Sequence, residues 1–138
     1  MVRSSDRVII VHSLEHARAA VGAAAAAGCP VIIASAPGAA AYAGALWFAK
    51  VVALAAAEHP QVQVTAMLDC GAAPGHVLAA LRQGIKCVRF TGRAAVADKL
   101  AAIAKRQGAE VVRGRLAALD LLDADDPAAA CRHWLRRP

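Results

Sequence analysis

An acid and a thiol stand side by side in Leu68-Asp69-Cys70-Gly71, just ahead of an Ala-Ala-Pro-Gly run that opens a helical stretch near Pro74. A carboxylate placed there can act as general acid or base, and the free amides of a helix start favour an anion or a thiolate, so Cys70 reads as nucleophile or metal ligand. The structural alternative has Asp69 capping its loop and Cys70 filling a small apolar space. Thr91-Gly92-Arg93 offers backbone amides and a guanidinium to a phosphate, and Ser35-Ala36-Pro37-Gly38 adds Ser35 and Gly38 to the candidate ligand-binding set with Gly71. Arg89 sits in an otherwise apolar run, Cys87 to Phe90; buried there, it needs an acidic or ligand partner, and Asp69 is the candidate. His12, His16, His59, His76 and His133 lack metal-ligand spacing and read as surface or capping residues. The four cysteines form no CxxC pair.

What must position these groups is a recurrence of short Val- and Ile-rich runs with longer helical patterns, the signature of βαβ units in a parallel sheet. Five runs read as strands: Arg7 to Val11, Val31 to Ala34, Val62 to Leu68, Cys87 to Phe90, and Glu110 to Arg113. Between them lie helices over about Leu14 to Ala27, Ala39 to Glu58, Pro74 to Gln83 and Ala95 to Gln107, with Gly28, Gly84 and Gly108 as stops. From Ala117 onward the pattern is less regular, with an Asp-rich turn at Asp123 to Pro127 and a final helix ending near Leu135. Most of the candidate groups fall just after a strand, which is where parallel sheets bind ligands. The expected architecture is a single α/β domain over residues 1–138, an open Rossmann- or flavodoxin-like three-layer sheet, with a partial barrel as the alternative.

Composition bounds the rest. Of 138 residues, 59% are hydrophobic and 19% charged, which excludes intrinsic disorder. Alanine accounts for 38, so helices are favoured and must pack closely to bury enough area. The net charge of +6 is not joined to aromatics, and Arg132, Arg136 and Arg137 read as helix-end charge, so no nucleic-acid partner is expected. The apolar segment Gly38 to Ala57 contains Lys50 and is mostly Ala and Gly, so it reads as a buried helix rather than a membrane span. Unpaired cysteines and the Val-Arg-Ser-Ser-Asp start point to the cytoplasm. The helix carrying Tyr42, Leu46, Trp47, Phe48 and Val51 is apolar nearly all round, and is the face expected to meet a second copy in a homodimer or to lie centrally in the core.

The order of motifs resembles the first half of the class II fructose-bisphosphate aldolases, zinc-dependent TIM-barrel enzymes. Cys29-Pro30-Val31-Ile32-Ile33, then Pro37-Gly38-Ala39, Tyr42 and Gly44, is similar to that family's second strand and loop. Leu68-Asp69-Cys70-Gly71 is similar to its Leu-Asp-His-Gly segment, and Ala79 to Gly92 to the helix and strand that follow. The resemblance implies that Asp69 is the counterpart of the catalytic aspartate and that Cys70 replaces a zinc-binding histidine. It also sets Ala36 where the family has a phosphate-contacting serine, with Ser35 one position earlier on the other face, and leaves the fifth-strand glutamate without a counterpart between Glu110 and Asp120. The later strands that supply further zinc ligands have no match, and 138 residues are too few to close an eight-stranded barrel alone.

The reading that follows is an aldolase-like protein that binds a small phosphorylated or carboxylated ligand at its strand ends, without family-type aldolase activity. No cofactor is expected; zinc enters only through the resemblance. Two alternatives stand beside it: a lyase or isomerase using Asp69 as acid/base with Cys70 as nucleophile or metal ligand, and a non-enzymatic oligomeric interaction module.

Overall fold

The computed structural model describes residues 2, 6–41, 44–114 and 116–136; Tyr42 and Arg137, named above, lie outside these. Six strands, β1 (Val8–Ile10), β2 (Val31–Ala34), β3 (Val64–Asp69), β4 (Cys87–Arg89), β5 (Glu110–Val112) and β6 (Ala118–Asp120), form one sheet. Five helices alternate with them: α1 (Leu14–Ala27), α2 (Ala45–Ala57), α3 (Pro74–Arg82), α4 (Ala94–Arg106) and α5 (Pro127–Leu135). Local chemistry sets the helix ends. Ser13 caps α1 by accepting from the His16 N–H at 3.1 Å, and Gly28 ends it with φ 67°. Pro74 and Pro127 occupy first turns, and Asp126 caps α5 through the Ala129 N–H at 3.1 Å.

The helix expected over Ala39 to Glu58 is interrupted. A short 3-10 turn, Ala39–Ala41, precedes α2, because Gly44 takes φ 81°, a conformation no right-handed helix contains. The sixth strand, Ala118–Asp120, falls in the stretch that the sequence pattern leaves irregular. Three residues without a β-branched side chain carry no strand signal of their own; pairing with β1 makes the strand.

Every pairing is parallel, and the order is β5-β4-β3-β2-β1-β6. The α/β class and the open parallel sheet are as expected, but the arrangement of layers differs. Successive right-handed crossovers from β1 to β5 all step the same way, which puts their helices on one face. The main core accordingly joins Ile9, Ile33, Leu68 and Val88 to helix residues such as Val21, Phe48, Val77 and Leu100. The opposite face carries Val8, Ile32, Ala34, Met67, Cys87 and Val112, with no helix residue among them. The expected third layer is therefore absent from the described residues, and the sequential order is that of a barrel arc. Alanines at 17, 20 and 24 of α1 are fully buried, which brings this helix close to its neighbours.

The sheet is also strongly curled. From Val112 to Ala118 the chain takes six steps, a reach of about 20 Å. In a flat six-stranded sheet the two edges would stand about 24 Å apart, before the return from the carboxyl end of β5 to the amino end of β6 is counted. Only a curled sheet lets this link be made. Val112 of one edge strand shares the inner cluster with Val8 of β1, with Leu116 of the link packed against it.

Candidate functional site

Side chains alternate between the two faces of a strand, and inner-face residues at the carboxyl ends converge as the sheet curls. Met67 and Cys87 belong to the inner cluster, so Asp69 and Arg89, two residues on and directly paired in register, stand above them. Asp69 Oδ2 lies 3.6 Å from Arg89 Nε, with the two side chains 11% and 19% exposed. The acid partner foreseen for Arg89 is the one it has.

Asp69 Oδ1 accepts two backbone N–H groups, from Gly38 and Gly71, both at 2.9 Å. These N–H groups converge on one oxygen because Gly38 and Gly71 take φ 68° and 57°, left-handed conformations that glycine adopts without strain. Ser35 lies in the same knot but turns away from the mouth. Buried, its Oγ accepts the Asp69 N–H at 2.8 Å and lies 3.4 Å from the Ala36 carbonyl, so its capacity is spent on the backbone. The Thr91 N–H donates to the Gly71 carbonyl at 2.8 Å, which ties the loop after β4 to that after β3. Thr91 and Arg93 are exposed beside it, and the first turn of α4 has no side-chain cap. Gly92 has a packing role: a Cβ there would come within 2.3 Å of the Phe90 ring.

Cys70 does not join this group. Its side chain follows the other parity of β3 into the helix-facing core, 2% exposed, with Sγ 3.9 Å from the Leu68 carbonyl. Burial, then the Asp69 charge, pushes its thiol up to about 12, so it stands as a thiol rather than a thiolate. The geometry corrects the expectation that Cys70 acts beside Asp69 as nucleophile or metal ligand; adjacent residues on a strand face opposite ways. Among the described residues no three His, Cys, Asp or Glu side chains gather as a metal site. The donor set does not fit the zinc that the resemblance implies.

Two residues of the rim escaped the sequence reading. His12, just after β1, places Nε2 2.7 Å from Asp120 Oδ1 on β6, and the His12 N–H donates to His16 Nδ1 at 3.0 Å. Burial works against the Asp120 charge, but the His12 hydrogen bond, the Leu122 N–H and the two imidazoles hold its carboxyl below the usual range. Burial, then His12, pushes His16 down against the pull of Glu15 and Asp120. The available signal was the position of His12 directly after a strand; its partner lay in the unassigned tail.

An open cavity of about 1530 Å³ lies at the opposite, amino ends of the strands. Two of the charged groups there have protein partners: Lys86 Nζ donates to the Gln107 carbonyl at 3.0 Å, and Glu110 accepts the Val2 N–H at 2.9 Å. The carboxyl rim, with Arg89 only loosely met, is the chemically open end.

Comparison with known proteins agrees with this arrangement. The profile of the family described as fructose-bisphosphate aldolase class-II matches residues 7–106, and the chain belongs to that family. Among solved structures, a candidate fructose-1,6-bisphosphate aldolase from Coccidioides immitis superposes with a TM-score of 0.66 at 21% identity, over 78% of this chain. The chain spans 40% of the length of that structure. A search of curated proteins gave no match. Among the described residues no helix is long and apolar enough to cross a membrane.

Proposed function

We propose that this chain binds a small phosphorylated or carboxylated molecule at the carboxyl ends of its strands, and does so without the metal-dependent carbon–carbon cleavage of its family. One observation carries the reading. The largely buried guanidinium of Arg89 makes no hydrogen bond to any described residue, and Asp69 Oδ2 approaches it only to 3.6 Å. A guanidinium about four-fifths buried, with its fork of donors uncommitted to protein acceptors, can hold an anion through two of them. Thr91, Arg93 and the uncapped start of α4 flank the same rim and suit a phosphate.

Asp69 serves here as a clamp that joins the loops after β2 and β3 and aims Arg89. Its Oδ1 is filled by two N–H groups, so a lyase or isomerase reaction would have only Oδ2 for proton transfer. Cleavage of the family type is disfavoured by the donor set, since Cys70 points away from the rim. A homodimer joined through the exposed side of α2, in a cytoplasmic setting, completes the proposal.

A thermal-shift screen of sugar phosphates and small carboxylic acids tests it. At about a hundredfold excess over Kd a bound ligand contributes roughly 2.7 kcal/mol, a rise of several degrees in Tm. The rise is expected in the wild type and is lost in Arg89→Met. A flat response of the wild type to every compound would leave the interaction-module reading in its place.

A further inference from the structure

The strand register puts His12 on the same rim as Asp69 and Arg89. Ile10 pairs with Ala34, and Ala34 with Met67. Two residues further along each strand direction come His12, Ala36 and Asp69, and Asp69 pairs with Arg89. Ile10 packs on the inner cluster that contains Ala34, Met67 and Cys87, so Asp69 and Arg89 share the inner face with Asp120, the β6 partner of Ile10, and His12 joins them through its 2.7 Å contact with Asp120. Asp120, in register with Ile10 on β6, closes the row beside His12. Along the row between His12 and Asp69 comes Ala36, which carries only a methyl group. His12 and Asp69 are two strands apart, about 10 Å between backbones, which suits a small molecule lying across Ala36.

The hydrogen bonds fix which nitrogen of His12 is offered. Nε2 faces an ionised carboxylate at 2.7 Å and therefore carries the proton. In the neutral ring Nδ1 is then a lone-pair acceptor, and no described residue donates to it. His16 Nδ1 accepts the His12 N–H, which holds the backbone at the base of the ring, and the two rings meet edge to face with centroids 5.8 Å apart. An imidazole held at both its backbone and its far nitrogen is preorganised for a ligand, at little entropic cost on binding.

We propose that His12 is a ligand-contacting residue of this rim, positioned by Asp120 and His16, and that its Nδ1 selects ligands carrying a hydroxyl donor a few bonds from the anionic group that Arg89 holds. This rests on the anion-binding reading above. Discrimination of this kind is strong, because a ligand lacking the donor leaves a desolvated acceptor unpaired.

Two probes separate the two claims in the intact chain: inorganic phosphate, which has the anion alone, and glycerol 3-phosphate, which adds hydroxyls. The expected result is that glycerol 3-phosphate binds the wild type about tenfold or more tightly than phosphate, and that His12→Ala abolishes this advantage while leaving phosphate binding unchanged. In ¹⁵N spectra of the unmutated protein, glycerol 3-phosphate should shift the His12 Nδ1 resonance and phosphate should not. That measurement holds even if the variant fails to fold. For positioning by Asp120, Asp120→Asn is expected to convert the single Nε2–H tautomer signature into a mixture. An advantage that survives His12→Ala, or a His12 resonance indifferent to both probes, would overturn the assignment and leave the role of Arg89 standing. Failure of both probes to bind the wild type would overturn both.

Discussion

Asp69 shows how one carboxylate serves loop structure and ligand chemistry together. Oδ1 satisfies the N–H groups of Gly38 and Gly71, and Oδ2 is the acidic neighbour of Arg89. Replacing it with alanine leaves two N–H groups without an acceptor and a largely buried cation without its counter-charge. Asp69→Ala is therefore expected to cost about 2–4 kcal/mol of stability in urea unfolding. Asn retains an Oδ1 that can accept both N–H groups, so Asp69→Asn should cost roughly half as much. An alanine variant within about 0.5 kcal/mol of wild type would show that the clamp is not structural. The pairing of Asp69 with Arg89 could be foreseen from the sequence, since a basic residue in an apolar strand must meet an acid on the next strand. The outward turn of Cys70 follows from strand alternation once the faces are known, but which face is inner depends on the whole sheet.

At the scale of elements, α2 departs most from the sequence pattern and has the clearest surface consequence. Phe48, Val51 and Val52 are buried against the sheet and α1, while Leu46, Trp47 and Leu54 remain 63%, 49% and 47% exposed. The two alternatives for this helix thus describe its two sides, one in the core and one facing solvent. An apolar stripe of this kind, proposed above to meet a second copy, gives a direct expectation. Trp47→Glu with Leu54→Glu should shift light-scattering mass from dimer to monomer at micromolar concentration, with less than about 1 kcal/mol lost in stability, because neither side chain fills the core. Wild type that runs as a monomer at high concentration would refute the dimer. The amphipathic α4 was legible almost to the residue, since its apolar spacing and terminal Lys105 and Arg106 need no tertiary information.

For the molecule as a whole, the curled sheet has two faces of different character, and buried thiols lie on both. Cys87 sits in the inner cluster, and Cys70 and Cys131 sit in the helix-side core. Burial pushes Cys70 and Cys87 up to about 12 and Cys131 to about 11, from an ordinary value of 9.0. A raised thiol pKa means that the fold favours the protonated form; this contribution is complete below pH 9 and is lost as pH climbs towards 12. The urea midpoint should hold level from pH 7 to about 9 as far as these groups decide it, then fall, and the fall should shrink in Cys70→Ala and Cys87→Ala when each is compared with its own value at pH 7. In native protein at pH 8, half-buried Cys29 should be the first thiol to react with a disulfide reagent, with the other three following only on unfolding. A fourfold fast reaction would contradict the burial.

The alternation of strands and helices, the stop at Gly28, and the neighbouring acid and cation of β3 and β4 were determined by the sequence alone, because each arises from residues close along the chain or one βαβ unit apart. The three-residue strand that pairs with β1, the single-sided helix layer and the meeting of His12 with Asp120, 108 positions away, were decided only by tertiary structure. The physical reason is curvature. A short link from β5 to β6 curls the sheet far enough to bring β6 beside β1, and no local propensity encodes that curvature.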